Sequence, residues 1–325
     1  MKKYLTLLII CLIVISCNST NEKKSKEKTI VDSEHPIDLF TPPKVEIKTV
    51  GILLYDGFAN LDAIGPYAVF SAMIGTNVFF VGLKSGIVTD ARGIKIQVDS
   101  TIYDTKHLDV LVIPGGFKET LELTKNEVLL NWIRDIDKTS KYTASVCTGA
   151  WILGATGLLE SKEATTHWYA KGVLAEKYGV KLKDARYVNS GKYWTSAGVT
   201  AGMDMSLAML NEIMGEQYTK MVMLDLEYDP KPPIIGGSEH NTDKKIVEAV
   251  RSMYDSGLQS ILNSDETKSI TYQLDNNKDF VCRMPLSEKV TDTVHINNKI
   301  YGFCSKVCKD LFREDTAKYL SLGTN

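Results

Sequence analysis

Cys147 stands between an extended apolar run, Tyr142 to Val146, and a helical one, Ala150-Trp151-Ile152-Leu153-Gly154-Ala155. A cysteine at a strand-to-helix turn is pushed into an exposed, strained elbow, with the first free amides of the helix pointing toward its sulfur. That placement favours negative charge and predicts a lowered thiol pKa. A free cysteine also packs as a small hydrophobe, so the spacing alone leaves the reactive and the structural readings both open. A nucleophile further needs donors for a developing oxyanion. The amides of Gly116 and Thr148 are candidates, and the small residues Gly115 and Gly116 let the backbone approach a substrate closely.

A second group of chemistry-bearing residues closes the chain. Cys282 and Met284 are followed some twenty residues later by Cys304 and Cys308, then by Phe312 and Tyr319. Cysteine and methionine are soft ligands suited to Cu(I) or zinc, and Cys304 and Cys308 are one helical turn apart. A closed zinc site takes four ligands, so Met284 or His295 would complete the set, or a position stays open. A small apolar core with bystander thiols, or a disulfide, fits the same spacing.

The elements that must position Cys147 are legible as alternating strands and helices. Val45 to Tyr55, Asn77 to Leu83, Asp109 to Ile113 and Tyr142 to Val146 read as buried strands, and Ile87 to Val98 as a hairpin. Leu61–Pro66 is expected to lead into a helix through about Met73 with Pro66 in its first turn, and further helices are expected over 126–138, 170–178 and 198–214 and from Thr242 to about Leu262. Arg186 to Ser196 reads as two strands around Asn189-Ser190-Gly191. Continuous apolar strands between helices predict a mostly parallel sheet covered on both faces, an α/β sandwich. In such a sheet the loops at the strands' carboxyl ends converge. The Tyr55–Pro66 loop, Pro114-Gly115-Gly116, Cys147 and the His167 segment should therefore meet at one edge.

The 325 residues carry a formal net charge of −2, with 44% hydrophobic and 24% charged residues, so neither charge nor motif points to nucleic acid as a partner. Lys2 and Lys3 precede an apolar run from Leu5 to Ile15 that is short for a membrane span but fits a secretory leader. It ends in Val14-Ile15-Ser16-Cys17, which resembles a bacterial lipobox. Cleavage at 1–16 and lipidation of Cys17 would anchor the chain to the envelope membrane, facing the periplasm or exterior, with no spanning helix. It would leave 36 basic against 40 acidic residues, a balance of −4. Residues 17–44, polar and ending in Thr41-Pro42-Pro43, read as a tether.

Six blocks in order give the chain from about Val50 to Pro233 its resemblance to the ThiJ/PfpI family of class I glutamine-amidotransferase-like proteins. They are Leu61–Pro66, Val112–Gly116, Ser145–Ala150, Ala164–Trp168, Thr195–Gly202 and Leu226–Pro230. The nearest branch is that of the isonitrile hydratases, beside the ligand domains of AraC-type regulators. The resemblance implies a flavodoxin-like sandwich, a homodimer, and no cofactor for the main domain. It implies Cys147 as nucleophile and Asp62 as its acidic partner, with Thr148 beside them and His167 in the pocket. Asp62 could also be a helix N-cap, and one residue can do both. The closing segment resembles the YHS domain, which implies a small metal-associated module with Cys282, Cys304, Cys308 and Met284 toward zinc or copper. The expected organisation is 45–240 for the main domain, 241–270 for a helical linker and 271–325 for the module. The expected activity is cysteine-dependent hydration of a small electrophile such as an isonitrile. Glyoxalase or deglycase chemistry on aldehydes and non-catalytic ligand or metal handling are the rival readings.

Overall fold

The protein is described by a computed structural model covering residues 42–262, 274–286, 290, 292–297 and 299–323. The expected leader, Cys17 and most of the expected tether lie outside the described residues.

The main sheet draws on β1 (Thr49–Leu54), β2 (Asn77–Gly82), β5 (Ser100–Thr101), β6 (Val110–Ile113), β7 (Tyr142–Val146), β10 (Tyr187–Ser190) and β11 (Tyr193–Ser196). Two short strands, β3 (Ile87–Thr89) and β4 (Lys95–Gln97), form the expected hairpin, and β8 (Glu163–Ala164) pairs with β9 (Lys181–Leu182). The order in the seven-stranded sheet is β10-β11-β7-β6-β1-β2-β5. Every pairing in it is parallel except β10 with β11. All residues of β6 and β7 are buried, the signature of strands covered on both faces.

The helices are α1 (Asn60–Phe70), α2 (Lys118–Leu123), α3 (Glu127–Asp137), α4 (Gly149–Ala155), α5 (Lys171–Tyr178), α6 (Ala201–Met214), α7 (Glu216–Asp225) and α8 (Lys244–Leu262). One group forms around α1, α6 and α7, and another around α4 with α2, α3 and α5. The mostly parallel, flavodoxin-like sandwich is as expected, whereas α2 and α7 are too short or too weakly patterned to be read from sequence. Pro66 corrects another reading. Helix α1 begins at Asn60, so Pro66 lies inside it and not in the first turn, and removes the amide that would donate to the Asp62 carbonyl.

The C-terminal module has a separate small core. The antiparallel pair β12 (Asp292–Ile296) and β13 (Lys299–Phe303) packs with α9 (Lys306–Glu314) and α10 (Thr316–Gly323) around Phe312. The Phe312 ring lies 4.8 Å from Phe303 and 6.0 Å from Phe280. Among the described residues no helix is long and apolar enough to cross a membrane.

Candidate active site and metal centre

Registers at the sheet centre bring the chemistry together. Ile113 pairs with Ser145 and Val146 with Ser196, so the chain leaves β6, β7 and β11 at nearly one level. Cys147 follows β7 with φ of 57°, the left-handed region that costs a non-glycine residue roughly 1–2 kcal/mol. The elbow is pinned from both sides. The Cys147 amide donates to the Ser196 carbonyl at 3.2 Å, and Thr166 Oγ1 donates to the Cys147 carbonyl at 2.7 Å. Gly149 is needed beneath it, because a Cβ there would run into the Ile113 carbonyl oxygen.

Asp62 reaches the elbow from the first turn of α1 and is wholly buried. It is not the helix cap: that position is Ala59, which makes no side-chain capping bond. Its Oδ2 instead accepts the Gly115 amide at 3.0 Å, while Oδ1 is buried without a hydrogen-bond partner. The carboxyl and the Cys147 thiol are near enough that each shifts the ionisation of the other. Burial pushes Asp62 up from 3.8 to about 7, against the pull of the Gly115 amide and the thiol. Burial, followed by the Asp62 charge, likewise pushes the Cys147 thiol well above its ordinary value, although the Thr148 amide and hydroxyl pull it down. The expected lowering by the helix terminus is therefore overturned: Cys147 is only 6% exposed, and desolvation outweighs the amides. The resting pair holds its proton on sulfur, beside a carboxyl poised near neutrality.

The Gly-Gly turn also differs from expectation. The Gly115 amide is taken by Asp62, and the Gly116 amide donates to Thr148 Oγ1 at 2.9 Å, whose hydroxyl donates to the Gly116 carbonyl at 2.8 Å. Both glycine amides are thus taken up by the Asp62 and Thr148 side chains and are not free oxyanion donors; the Thr148 amide is the donor that faces the sulfur. The need for small residues stands, since a Cβ on Gly115 would come within 2.6 Å of Thr148 N and Oγ1 and 2.9 Å of Asp62 Oδ2. His167 is half-buried and uncharged at neutral pH, because burial lowers its pKa to about 4. Its ring packs 5.6 Å from Trp168 and 5.7 Å from Tyr254 of α8. Tyr254 was not legible as a site residue: it lies in the stretch read as a linker, far from every motif. Tyr55 was missed as well. It is buried behind the site, donating to the Pro114 carbonyl at 2.9 Å beside Thr120.

At the C-terminus Cys282, Cys304 and Cys308 do converge. Their sulfurs lie 3.3 Å (Cys282 to Cys304) and 3.6 Å (Cys304 to Cys308) apart, and all three are free thiols. A tetrahedral zinc with bonds of about 2.3 Å would set its thiolates ~3.8 Å apart, so the cluster is close to ligand spacing. Sequence reading missed the fourth member, Asp279, whose carboxylate lies with the three sulfurs in a set mutually within 4.8 Å. Its oxygens also accept the amides of Val281 and Cys304 at 2.8 Å, tying the two cysteine-bearing segments together. His295 is exposed and outside this set. The Met284 amide faces the Cys282 sulfur, which the neighbouring thiols of Cys304 and Cys308 hold well below its ordinary pKa. Three thiols and a carboxylate around one point fit a borderline or soft cation such as zinc or copper.

Comparison with known proteins agrees with this geometry. The DJ-1/PfpI family matches residues 48–212, just over half of the chain. The chain belongs to the DJ-1/PfpI family. The YHS domain matches residues 277–322, which holds the whole cysteine cluster. Isonitrile hydratase from Pseudomonas putida is 36% identical over 202 residues, covering 62% of this chain and 88% of that protein. A deglycase from Pyrococcus horikoshii is 28% identical over 148 residues, 45% of this chain and 87% of its own. Among solved structures, a ThiJ/PfpI family protein from Pseudomonas syringae superposes with a TM-score of 0.63 at 33% identity, covering 66% of this chain and 89% of that one.

Proposed function

We propose that the protein is a cysteine-dependent enzyme that hydrates a small electrophile such as an isonitrile. The observation that carries this reading is the buried Asp62–Cys147 pair, with one carboxyl oxygen unpartnered and a pKa of about 7. A carboxyl of that pKa accepts a proton from sulfur and returns it at neutral pH. In the proposed sequence Asp62 takes the thiol proton as Cys147 sulfur bonds to the terminal isonitrile carbon. The proton passes to that carbon, giving a thioimidate. Water then adds to the same carbon, the C–S bond breaks, and an N-substituted formamide leaves as the thiol is reprotonated. The Thr148 amide steadies charge on sulfur, and the resemblance to an isonitrile hydratase supports the choice of electrophile. The test is turnover of an aliphatic isonitrile by the purified chain, followed as formamide. Cys147→Ala should abolish it; full activity in that variant, or turnover of methylglyoxal in its place, would sink the hydratase reading.

Two further assignments belong to the same proposal. The YHS module binds zinc or copper through Cys282, Cys304 and Cys308 with Asp279, which favours a metal-handling role alongside the thiol chemistry. The lipobox at Val14–Cys17 anchors a homodimer to the cell envelope. Membrane fractionation of wild type and Cys17→Ser tests the anchor.

A further inference from the structure

Helix α8 lies beyond the stretch that the family matches, yet it packs on Phe117, His167 and Trp168, in the segments next to Cys147. Arg251, Tyr254, Asp255 and Leu258 recur at i, i+3, i+4 and i+7 and so share one face. Each is engaged. The Arg251 guanidinium stacks 4.9 Å over Trp168 and pairs with Glu239 at 2.7 Å. Asp255 accepts the Tyr169 hydroxyl at 2.8 Å, and Leu258 is 4% exposed. Tyr254 is the hub of a ring cluster, 4.8 Å from Tyr169, 5.4 Å from Phe117, 5.7 Å from His167 and 5.9 Å from Trp168. Gly257 lets the helix come this close, since a Cβ there would lie 2.5 Å from the Phe117 ring.

Phe117 follows Gly115-Gly116, and His167 follows Thr166, whose hydroxyl holds the Cys147 carbonyl. The two segments that Tyr254 bridges are therefore the two that flank the thiol. We propose that Tyr254, carried on α8, is a specificity-determining wall of the Cys147 pocket, restricting it to slender electrophiles. Burial, followed by the charge of a Cys147 thiolate, raises the Tyr254 hydroxyl above its ordinary pKa. The inference rests on Cys147 as the reacting group and not on which electrophile it meets.

The test labels Cys147 in the full-length chain at pH 9 with a small reagent, iodoacetamide, and a bulky one, N-(1-pyrenyl)maleimide. Modification is read on the Cys147 peptide by mass spectrometry, with Cys147→Ser as blank. Tyr254→Ala should raise the pyrenylmaleimide rate by roughly tenfold or more, the order expected for removing one steric wall, and the iodoacetamide rate by less than about threefold. Tyr254→Phe keeps the ring and should leave both rates within about twofold of wild type. Gly257→Leu, which forces α8 away from Phe117 without touching Tyr254, should open the site to the bulky reagent as Tyr254→Ala does. Equal acceleration of both reagents in Tyr254→Ala, or none for the bulky one, overturns the proposal. If Tyr254→Ala does not fold, Tyr254→Leu reads the same discrimination. Loss of isonitrile turnover with the labelling pattern intact would count against the hydratase reading alone.

Discussion

Asp62→Asn should make the protein more stable and less active, in a pH-dependent way that the structure specifies. The folded-state pKa of Asp62 is about 7 against an ordinary 3.8, raised by burial. Between those values the native state binds more protons than the unfolded chain, so ionising Asp62 progressively destabilises the fold as pH rises, and the full cost applies above pH 7. About three units at 1.36 kcal/mol each gives ~4 kcal/mol. Asparagine never ionises and can still accept the Gly115 amide. Its NH2 group would replace Oδ1, which has no partner, and an unpaired amide takes back about 1 kcal/mol. The stability advantage of the variant should therefore be small or absent near pH 4, grow to ~3 kcal/mol by pH 7, and stay level above it. That corresponds to a rise in Tm of roughly 6–12 °C for a domain of this size. Urea unfolding of wild type and variant side by side from pH 4.5 to 8.5 measures the difference, in which the titrating groups that Asp62 does not influence cancel. Two thiol measurements complete the test. With the Asp62 charge gone, alkylation of Cys147 should move to lower pH, while isonitrile turnover should fall by about 10²-fold or more for want of the proton acceptor. A stability difference that does not vary with pH, or thiol alkylation that moves to higher pH, would refute the coupling between the two groups.

Gly115→Ala should destabilise by roughly 1–3 kcal/mol, because the added methyl collides with the Thr148 amide and the Asp62 carboxylate, neither of which has room to yield. Hydration should drop with it, as displacing Asp62 from the thiol removes the proton acceptor; wild-type activity together with wild-type stability would contradict the close packing. In the C-terminal module, one equivalent of zinc or Cu(I) should bind per chain and be lost on Cys304→Ser, as read by elemental analysis. Chelation should increase amide hydrogen exchange within 277–322 and leave that of 48–212 unchanged.

Which parts of this site were legible in the sequence follows from how local each signal is. A strand-to-helix elbow is a contiguous signal, so Cys147, Thr148 and the Gly115-Gly116 turn could be placed at one sheet edge from periodicity alone. The roles of their amides could not. Whether Gly116 donates to an oxyanion or to Thr148 Oγ1 depends on a 2.9 Å contact between segments 32 residues apart. The thiol pKa was read with the wrong sign for the same reason. A helix terminus is visible in sequence, whereas the desolvation by surrounding core and the Asp62 charge that outweigh it are tertiary. Asp279 was overlooked because it lies three residues before Cys282, where a carboxylate reads as ordinary turn chemistry, until folding brings Cys304 against its other oxygen.

The two ends of the functional chain meet the same physical constraint in opposite ways. The main domain has a large buried core, and that core can sustain an elbow residue at φ 57° and a buried carboxyl with a raised pKa. Such features destabilise, and they persist only where the surrounding structure over-determines them. Among the described residues the segment 277–322 has a far smaller core, Val294, Tyr301, Phe303, Cys308 and Phe312, with partly buried side chains such as Phe280, Ile296 and Tyr319 packed against it. Modules this short generally need a disulfide or a metal to hold together. Cys282, Cys304 and Cys308 are free thiols gathered at ligand spacing, with Asp279 fixing the backbone of two of the segments that carry them. A cation at that point would supply the cross-link that the apolar core is too small to provide. Cys147 is thus strained in a domain whose core can tolerate strain, and the C-terminal cysteines converge in a module where a bound cation would act as a staple.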